Sequence, residues 1–165
     1  MAADTIPSRF FAQGEAHPDT PAVHTRKDGA WRSLSWREHV QQVRRIARAL
    51  IALGVLPGHA TCILGYNRVE WAVAAYASFG LGVFMVPMYE AQSDKDWDYI
   101  VRDSASKILI VANTKILEKT KKFLGTIPTL KGIVVLDGEK FLLVVLLLGL
   151  GLLLVDRDVL RLLGA

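Results

Sequence analysis

The 165-residue chain is predicted to be an α/β protein built on a parallel sheet, and three observations carry that prediction. Short apolar, β-rich runs begin at Thr61, Val83, Ile108 and Ile133, with starts 22, 25 and 25 residues apart. Each gap holds a segment of helical periodicity, and parallel strands need a crossover of that order, usually a helix. Apolar residues make up 52% of the sequence, enough to bury one core of ordinary domain size. The expected architecture is a parallel sheet of βα units preceded by a helix, a hairpin and a long helix.

Taken in order, residues 6–14 form a short helix stopped by Gly14 and, beyond it, Pro18. Residues 22–25 and 31–34 read as two strands of a hairpin whose turn holds Asp28 and Gly29, a pair suited to the positive φ of a tight turn. Ser35 and Glu38 stand three apart as a capping box, each side chain serving the other's backbone N–H, so a helix begins there. Its apolar positions Trp36, Val40, Val43, Ala47 and Leu50 step by four, three, four and three, and Gly54 with Pro57 ends it. Between the first two sheet strands, residues 68–79 form a helix boxed by Asn67 and Glu70. It is apolar nearly all round, as suits burial on more than one side. The next helix starts at Ser93 with Asp96 and turns Trp97, Ile100 and Val101 inward. The third, residues 115–124, is closed by Gly125 and turns Ile116, Thr120 and Phe123 inward, leaving Lys115, Lys119 and Lys122 outside.

The composition changes abruptly after Lys140. From Phe141 to Val155 the sequence reads FLLVVLLLGLGLLLV, with 13 of 15 positions apolar, whereas 67 of the first 140 residues are apolar, or 48%. We therefore divide the chain into a domain of residues 1–140 and an apolar tail of residues 141–165. A bilayer crossing needs roughly 20 apolar residues. Fifteen residues of helix reach only about 22 Å, and Lys140 and Asp156 bound the run, so a spanning helix is not expected. Three readings stay open for the tail: a buried terminal helix, a surface that meets a membrane or another chain, or a sequence not native to this domain.

Net charge is +4, and no run of like charges exceeds two, which gives no argument for nucleic acid. The single cysteine, Cys62, sits in an apolar run and is expected in the core. The N-terminal stretch has an early Asp4 and Pro7 and no apolar h-region, so a cytoplasmic address is the expectation, with peripheral membrane contact as the alternative.

Ligands of a parallel sheet bind beyond the carboxyl ends of its strands. Those ends carry Gly65, Tyr66, Asn67 and Arg68, then Pro87, Met88, Tyr89 and Glu90, then Asn113 and Thr114. Asn67 reads as a helix cap, Tyr89 as a packed aromatic and Glu90 as a solvated loop charge. His17, His24, His39 and His59 show no metal-ligand spacing, and the alternating Asp94, Asp96 and Asp98 lack the glycine and final glutamate of a calcium loop. No GxxxxGK[ST] loop occurs, and Gly80-Leu-Gly82 and Gly149-Leu-Gly151 lack a third glycine at the right distance. Arg37, Arg44, Arg45 and Arg48 give the long helix a basic side, read as a solvated face because no aromatics are interleaved with them. No catalytic, cofactor-binding or metal-binding residue is assigned.

The strings WRSLSWREHVQQVRRIARALIALGVLPGH, ILGYNRVEWAVAAYASFGLGVFMVPMYE and DYIVRDSASKILIVAN resemble the N-terminal part of long-chain fatty acyl-CoA synthetases, members of the adenylate-forming superfamily. The likeness covers about residues 22–137, and its most specific elements are Asn67-Arg68-x-Glu70-Trp71, Val86-Pro87-x-Tyr89 and Asp103-Ser104-x-Ser106-Lys107. His59 departs from it, standing where the family usually has an acidic residue. The resemblance implies a partial N-terminal subdomain of the adenylate-forming fold. For the complete enzyme it implies ATP-dependent joining of a fatty acid to CoA with Mg²⁺, giving acyl-CoA, AMP and pyrophosphate. The family's phosphate loop, adenine-binding and magnesium-binding motifs and adenylation lysine all follow the region matched, so the chain is expected to be a truncated part, binding none of these cofactors and inactive alone. The alternatives are a non-catalytic binding module that meets lipid, membrane or protein through residues 141–155, and a degraded gene product.

Overall fold

The computed structural model describes residues 4–136, 142–147 and 151–155. The four β-rich runs are β3 (Ala60–Leu64), β4 (Phe84–Met88), β5 (Ile108–Val111) and β6 (Gly132–Val135), and they pair in parallel in the order β4-β3-β5-β6. The helices between them are α3 (Val69–Gly80), α4 (Asp94–Asp103), and the pair α5 (Thr114–Thr120) and α6 (Phe123–Thr126). Before them come α1 (Ile6–Ala16), the hairpin β1 (Pro21–Lys27) and β2 (Ala30–Ser35), and α2 (Trp36–Ala52). The α/β parallel sheet with its preceding helix, hairpin and long helix is thus the one expected.

Side chains alternate across a strand, so one central strand feeds two cores. In β3, Cys62 and Leu64 join Leu109, Val111, Ile133 and Val135 beneath Trp97, Val101 and Phe123 of the later helices. Ile63 points the other way and joins Ile108 and Ile110 against Phe10, Val43, Val73 and Ala77 of the first three helices. The sheet is therefore covered by α1, α2 and α3 on one face and by α4, α5 and α6 on the other. The small residues of α3 (Ala74, Ala75, Ala77, Ser78) are buried, as a helix packed between the sheet and α2 requires.

Local chemistry explains most boundaries. Ser35 and Glu38 form the reciprocal capping box of α2, and Ser93 and Asp96 that of α4. Asp28 and Gly29 take φ of 53° and 80°, the left-handed pair that a two-residue hairpin turn demands. Three expectations are corrected. Asn67 does not cap α3: the N-cap is Arg68, without a side-chain cap, because the Glu70 carboxylate is held by the Arg68 guanidinium instead. The third crossover is two short helices rather than one, and Gly125 lies inside the second. The Thr120 hydroxyl donates back to the Ile116 carbonyl (2.9 Å), a bond that competes with the helical ladder where α5 ends.

The third correction concerns the tail, where one of the three readings left open, a buried terminal helix, gives way to strands. β7 (Leu142–Leu147) runs antiparallel to β6, and β8 (Gly151–Val155) antiparallel to β7, giving a six-stranded sheet. A 15-residue run is long for one strand but suits two of six and five residues, and Leu- and Val-rich segments can pair with the otherwise open edge of β6. The other residues after 136 lie outside the described residues.

α1 docks on α2 at Gly14, where an added Cβ would fall 2.5 Å from Val40 Cγ2. Gly14→Ala is expected to cost about 1–3 kcal/mol through overpacking, read as a lower urea midpoint. Beside that contact, His39 is buried among the rings of Phe10 (centroids 5.2 Å apart), Trp36 and Tyr76. Its Nδ1 finds no hydrogen-bond partner among the described residues. Burial pushes its pKa down from the usual value near 6.5. Between the two values the unfolded chain binds the extra proton, so stability is intact above about pH 6.5 and declines as pH falls toward the folded pKa. The thermal midpoint should therefore drop on acidification below about pH 6.5, with a shallower drop in His39→Phe. An identical pH slope in the variant would refute this.

Candidate functional site

In an open parallel sheet the crevice that takes ligands forms where neighbouring strands send their helices to opposite faces. Here β3 pairs with β4 on one side and β5 on the other, α3 leaves β3 toward one face and α5 leaves β5 toward the other. The switch point is thus between the carboxyl ends of β3 and β5.

The two ends approach closely. A Cβ on Gly65 would stand 3.0 Å from Ala112 Cβ, so glycine lets the strands meet there. Over the junction, Arg68 Nη1 donates to the Ala112 carbonyl after β5 (3.1 Å) and Nη2 to the Leu136 carbonyl after β6 (3.3 Å). The same guanidinium makes a forked bond to Glu70, with Nε to Oε2 at 2.8 Å and Nη2 to Oε1 at 3.1 Å. The Tyr66 ring lies 5.9 Å from its central carbon. Arg68 is 18% exposed at its side chain and Glu70 34%, so the pair is half sheltered and charge-assisted rather than a surface contact. One side chain from the β3–α3 loop therefore holds the ends of β5 and β6. It fills the switch point with the chain's own cation and carboxylate.

The other edge residues divide plainly. Asn113 caps α5, accepting from the Ile116 N–H at 3.0 Å. Tyr89 is 71% exposed and not packed as expected. Its backbone holds the loop instead, its carbonyl accepting from Trp97 Nε1 (3.0 Å) and its N–H donating to Gln92 Oε1 (2.9 Å). Asn67 and Glu90 face solvent. Cys62 is a core residue whose Sγ contacts Ser106 Oγ at 3.0 Å, and burial pushes its thiol pKa up, the opposite of nucleophile activation. His24 bonds Ser33, and His59 Nδ1 accepts from the Leu56 N–H. Among the described residues, no three His, Cys, Asp or Glu gather as a metal site would need. Asp96 belongs to a capping box, Asp98 pairs with Arg102 (2.6 Å) and Asp94 with Lys122 (3.5 Å).

Residues 10–148 match the family model of AMP-binding enzymes, a span that covers most of the chain and takes in the whole of β7. The chain belongs to the AMP-binding enzyme family. Among curated proteins it is 33% identical over 115 residues to the long-chain-fatty-acid–CoA ligase ACSBG2 of Rattus norvegicus, covering 70% of this chain and 17% of that protein. It is 27% identical over 136 residues to the long-chain-fatty-acid–CoA ligase FadD15 of Mycobacterium tuberculosis, covering 82% and 23%. The chain thus spans about a fifth of the length of the curated relatives it matches. Its structure resembles that of an anthranilate CoA ligase solved with anthranoyl-AMP, at a TM-score of 0.70 and 23% identity, over 78% of this chain and 24% of that one. Coronafacic acid ligase from Pectobacterium brasiliense matches at a TM-score of 0.69 and 24% identity, over 79% and 25%. The fold is therefore that of part of an adenylate-forming enzyme, as the resemblance implied.

Arg68 was legible in the sequence as part of Asn67-Arg68-x-Glu70-Trp71, but its role as a tie across strand ends was not. An arginine two residues before a glutamate, just after a buried strand, is the signal that could have found it. Removing it leaves two carbonyls and a carboxylate without their cation. Arg68→Met is expected to destabilise the chain by about 2–4 kcal/mol in urea unfolding, and Arg68→Lys, which cannot fork, by about half as much.

Proposed function

We propose that this chain is the N-terminal part of an ATP-dependent ligase that joins long-chain fatty acids to CoA, releasing AMP and pyrophosphate, and that alone it carries out no ligation. The observation that supports this reading is the family match over residues 10–148 together with relatives named as long-chain-fatty-acid–CoA ligases, of which the chain spans about a fifth. We place the subdomain at residues 1–140, with residues 141–165 as an apolar addition. In the complete enzyme the reading brings ATP, Mg²⁺ and CoA as partners, together with a fatty acid.

The switch-point residues present here do not fit an ATP–Mg²⁺ site. Stabilising a triphosphate takes several convergent N–H and cationic donors. The cation at this switch point is spent on Glu70 and on the Ala112 and Leu136 carbonyls, and Gly65 against Ala112 leaves no gap between the strand ends. The role assigned to residues 60–136 is that of a scaffold, a rigid sheet edge that fixes where neighbouring parts of the enzyme stand.

Two measurements test the reading. Purified chain incubated with palmitate, ATP, Mg²⁺ and CoA should release neither palmitoyl-CoA nor pyrophosphate above the blank, and turnover would overturn the inactivity. The DNA after codon 165 should encode, in some frame, a Ser/Thr/Gly-rich loop ending in Pro-Lys-Gly. Its absence there would sink the assignment to a ligase fragment.

A further inference from the structure

Away from the switch point, positive charge and exposed apolar side chains meet on one surface. The outward face of α2 carries Arg44, Arg45 and Arg48, all exposed, and helical spacing continues that stripe to Ile51 and Ala52. None of the three arginines is ion-paired with a carboxylate among the described residues. Arg44 lies over the Phe11 ring at 5.6 Å. Glu15 shares the α1–α2 groove with Arg37 and Arg44, and Arg37 is neutralised by Asp19 at 3.0 Å, whereas Arg45 and Arg48 lie outside that groove. Between Glu38 and Glu70 the sequence contains no acidic residue, so nothing along this stretch offsets the charge.

The stripe runs into an apolar corner. Ile51 is 57% exposed and Leu56 58%, while their neighbours Leu50 and Val55 are buried. The turn that presents them is fixed by Gly54 N–H to the Ile51 carbonyl (2.9 Å) and His59 N–H to the Leu56 carbonyl (3.0 Å). Gly58 N–H then bonds the Gly82 carbonyl and Phe84 N–H the His59 carbonyl, each at 2.8 Å, which ties this turn to the start of β4. Ile51, in the last turn of α2, and Leu56, in the turn that follows, are both more than half exposed and so contribute little packing to the fold.

We infer that this surface docks on an anionic lipid bilayer, with Arg44, Arg45 and Arg48 at headgroup phosphates and Ile51 and Leu56 entering the acyl boundary. Guanidinium matches phosphate in geometry as well as in charge. Apolar side chains beside a basic helix face are what interfacial binding uses, since a fluid phase takes them without a preformed pocket. Nucleic acid would engage the arginines and leave Ile51 and Leu56 without a role. The inference does not depend on the ligase reading.

The test is flotation of the full chain with vesicles of phosphatidylcholine alone or mixed with phosphatidylglycerol. The chain should bind the mixed vesicles more tightly, and rising salt should weaken that binding. With about fivefold in affinity per basic residue, R44Q/R45Q/R48Q should lose on the order of a hundredfold. I51S/L56S should weaken binding and keep its salt dependence. Circular dichroism should show both variants folded, since all five side chains are exposed. Equal binding to neutral vesicles, or binding that survives R44Q/R45Q/R48Q, would overturn the proposal. So would binding untouched by I51S/L56S, the mark of a general polyanion surface.

Discussion

β3 is paired on both edges and covered on both faces, and all five of its residues are buried. That constraint organises the molecule. A strand without access to water must place every polar atom against a partner, and the two polar side chains of β3 do so. Thr61 Oγ1 meets Ser78 Oγ of α3 at 3.2 Å on one face, and Cys62 meets Ser106 before β5 on the other. Ser106 in turn contacts Ser104 at 2.8 Å, and Ser104 donates to the Ile100 carbonyl at the end of α4. The central strand is thereby linked through small hydroxyl residues to the helices on both sides. This gives a physical reason for serine at 78, 104 and 106, where apolar side chains of similar size would leave Thr61 and Cys62 without polar contacts.

Where β3 ends, the same constraint passes to the loop. Strand-end carbonyls at a sheet's carboxyl edge need donors, and at Ala112 and Leu136 one guanidinium supplies them. Glu70 then balances a charge that would be costly in a half-sheltered site. The arrangement couples strand β3, helix α3 and the two following strands, and it occupies the place where a sheet of this topology ordinarily receives a ligand. Residues 60–136 are accordingly tied into one framework, in a chain that spans about a fifth of the length of its relatives.

Much of this was legible in the sequence because it rests on local physics. The spacing of Thr61, Val83, Ile108 and Ile133 reports the crossover length, and Ser35 with Glu38 and Ser93 with Asp96 report helix starts through side chains that reach only their own backbone. Asp28-Gly29 reports a turn through φ alone. The misreadings share a different cause. Asn67 with Glu70 has the spacing of a capping box, but Glu70 is claimed by Arg68, whose other partners come from residues 44 and 68 positions further along the chain. Tyr89 is aromatic and was expected to pack, yet it follows β4, an edge strand, and edge position is a property of the sheet order.

The tail shows the same limit. An unbroken apolar run specifies burial without specifying a period, so residues 141–155 fit a helix and a strand equally well on pattern alone. What decides between them is what each would satisfy. β6 is the last parallel strand among the described residues, and without a neighbour its outer edge would present unpaired N–H and carbonyl groups beside the buried Ile133 and Val135. A helix laid on the face would leave that edge open. An antiparallel strand closes it, pairing Val134 with Leu143 and Gly132 with Val145, and a second strand repeats the solution one step outward. The demand of an open sheet edge, set by a strand some ten residues earlier, therefore decides the conformation of a segment whose own composition is neutral between the two.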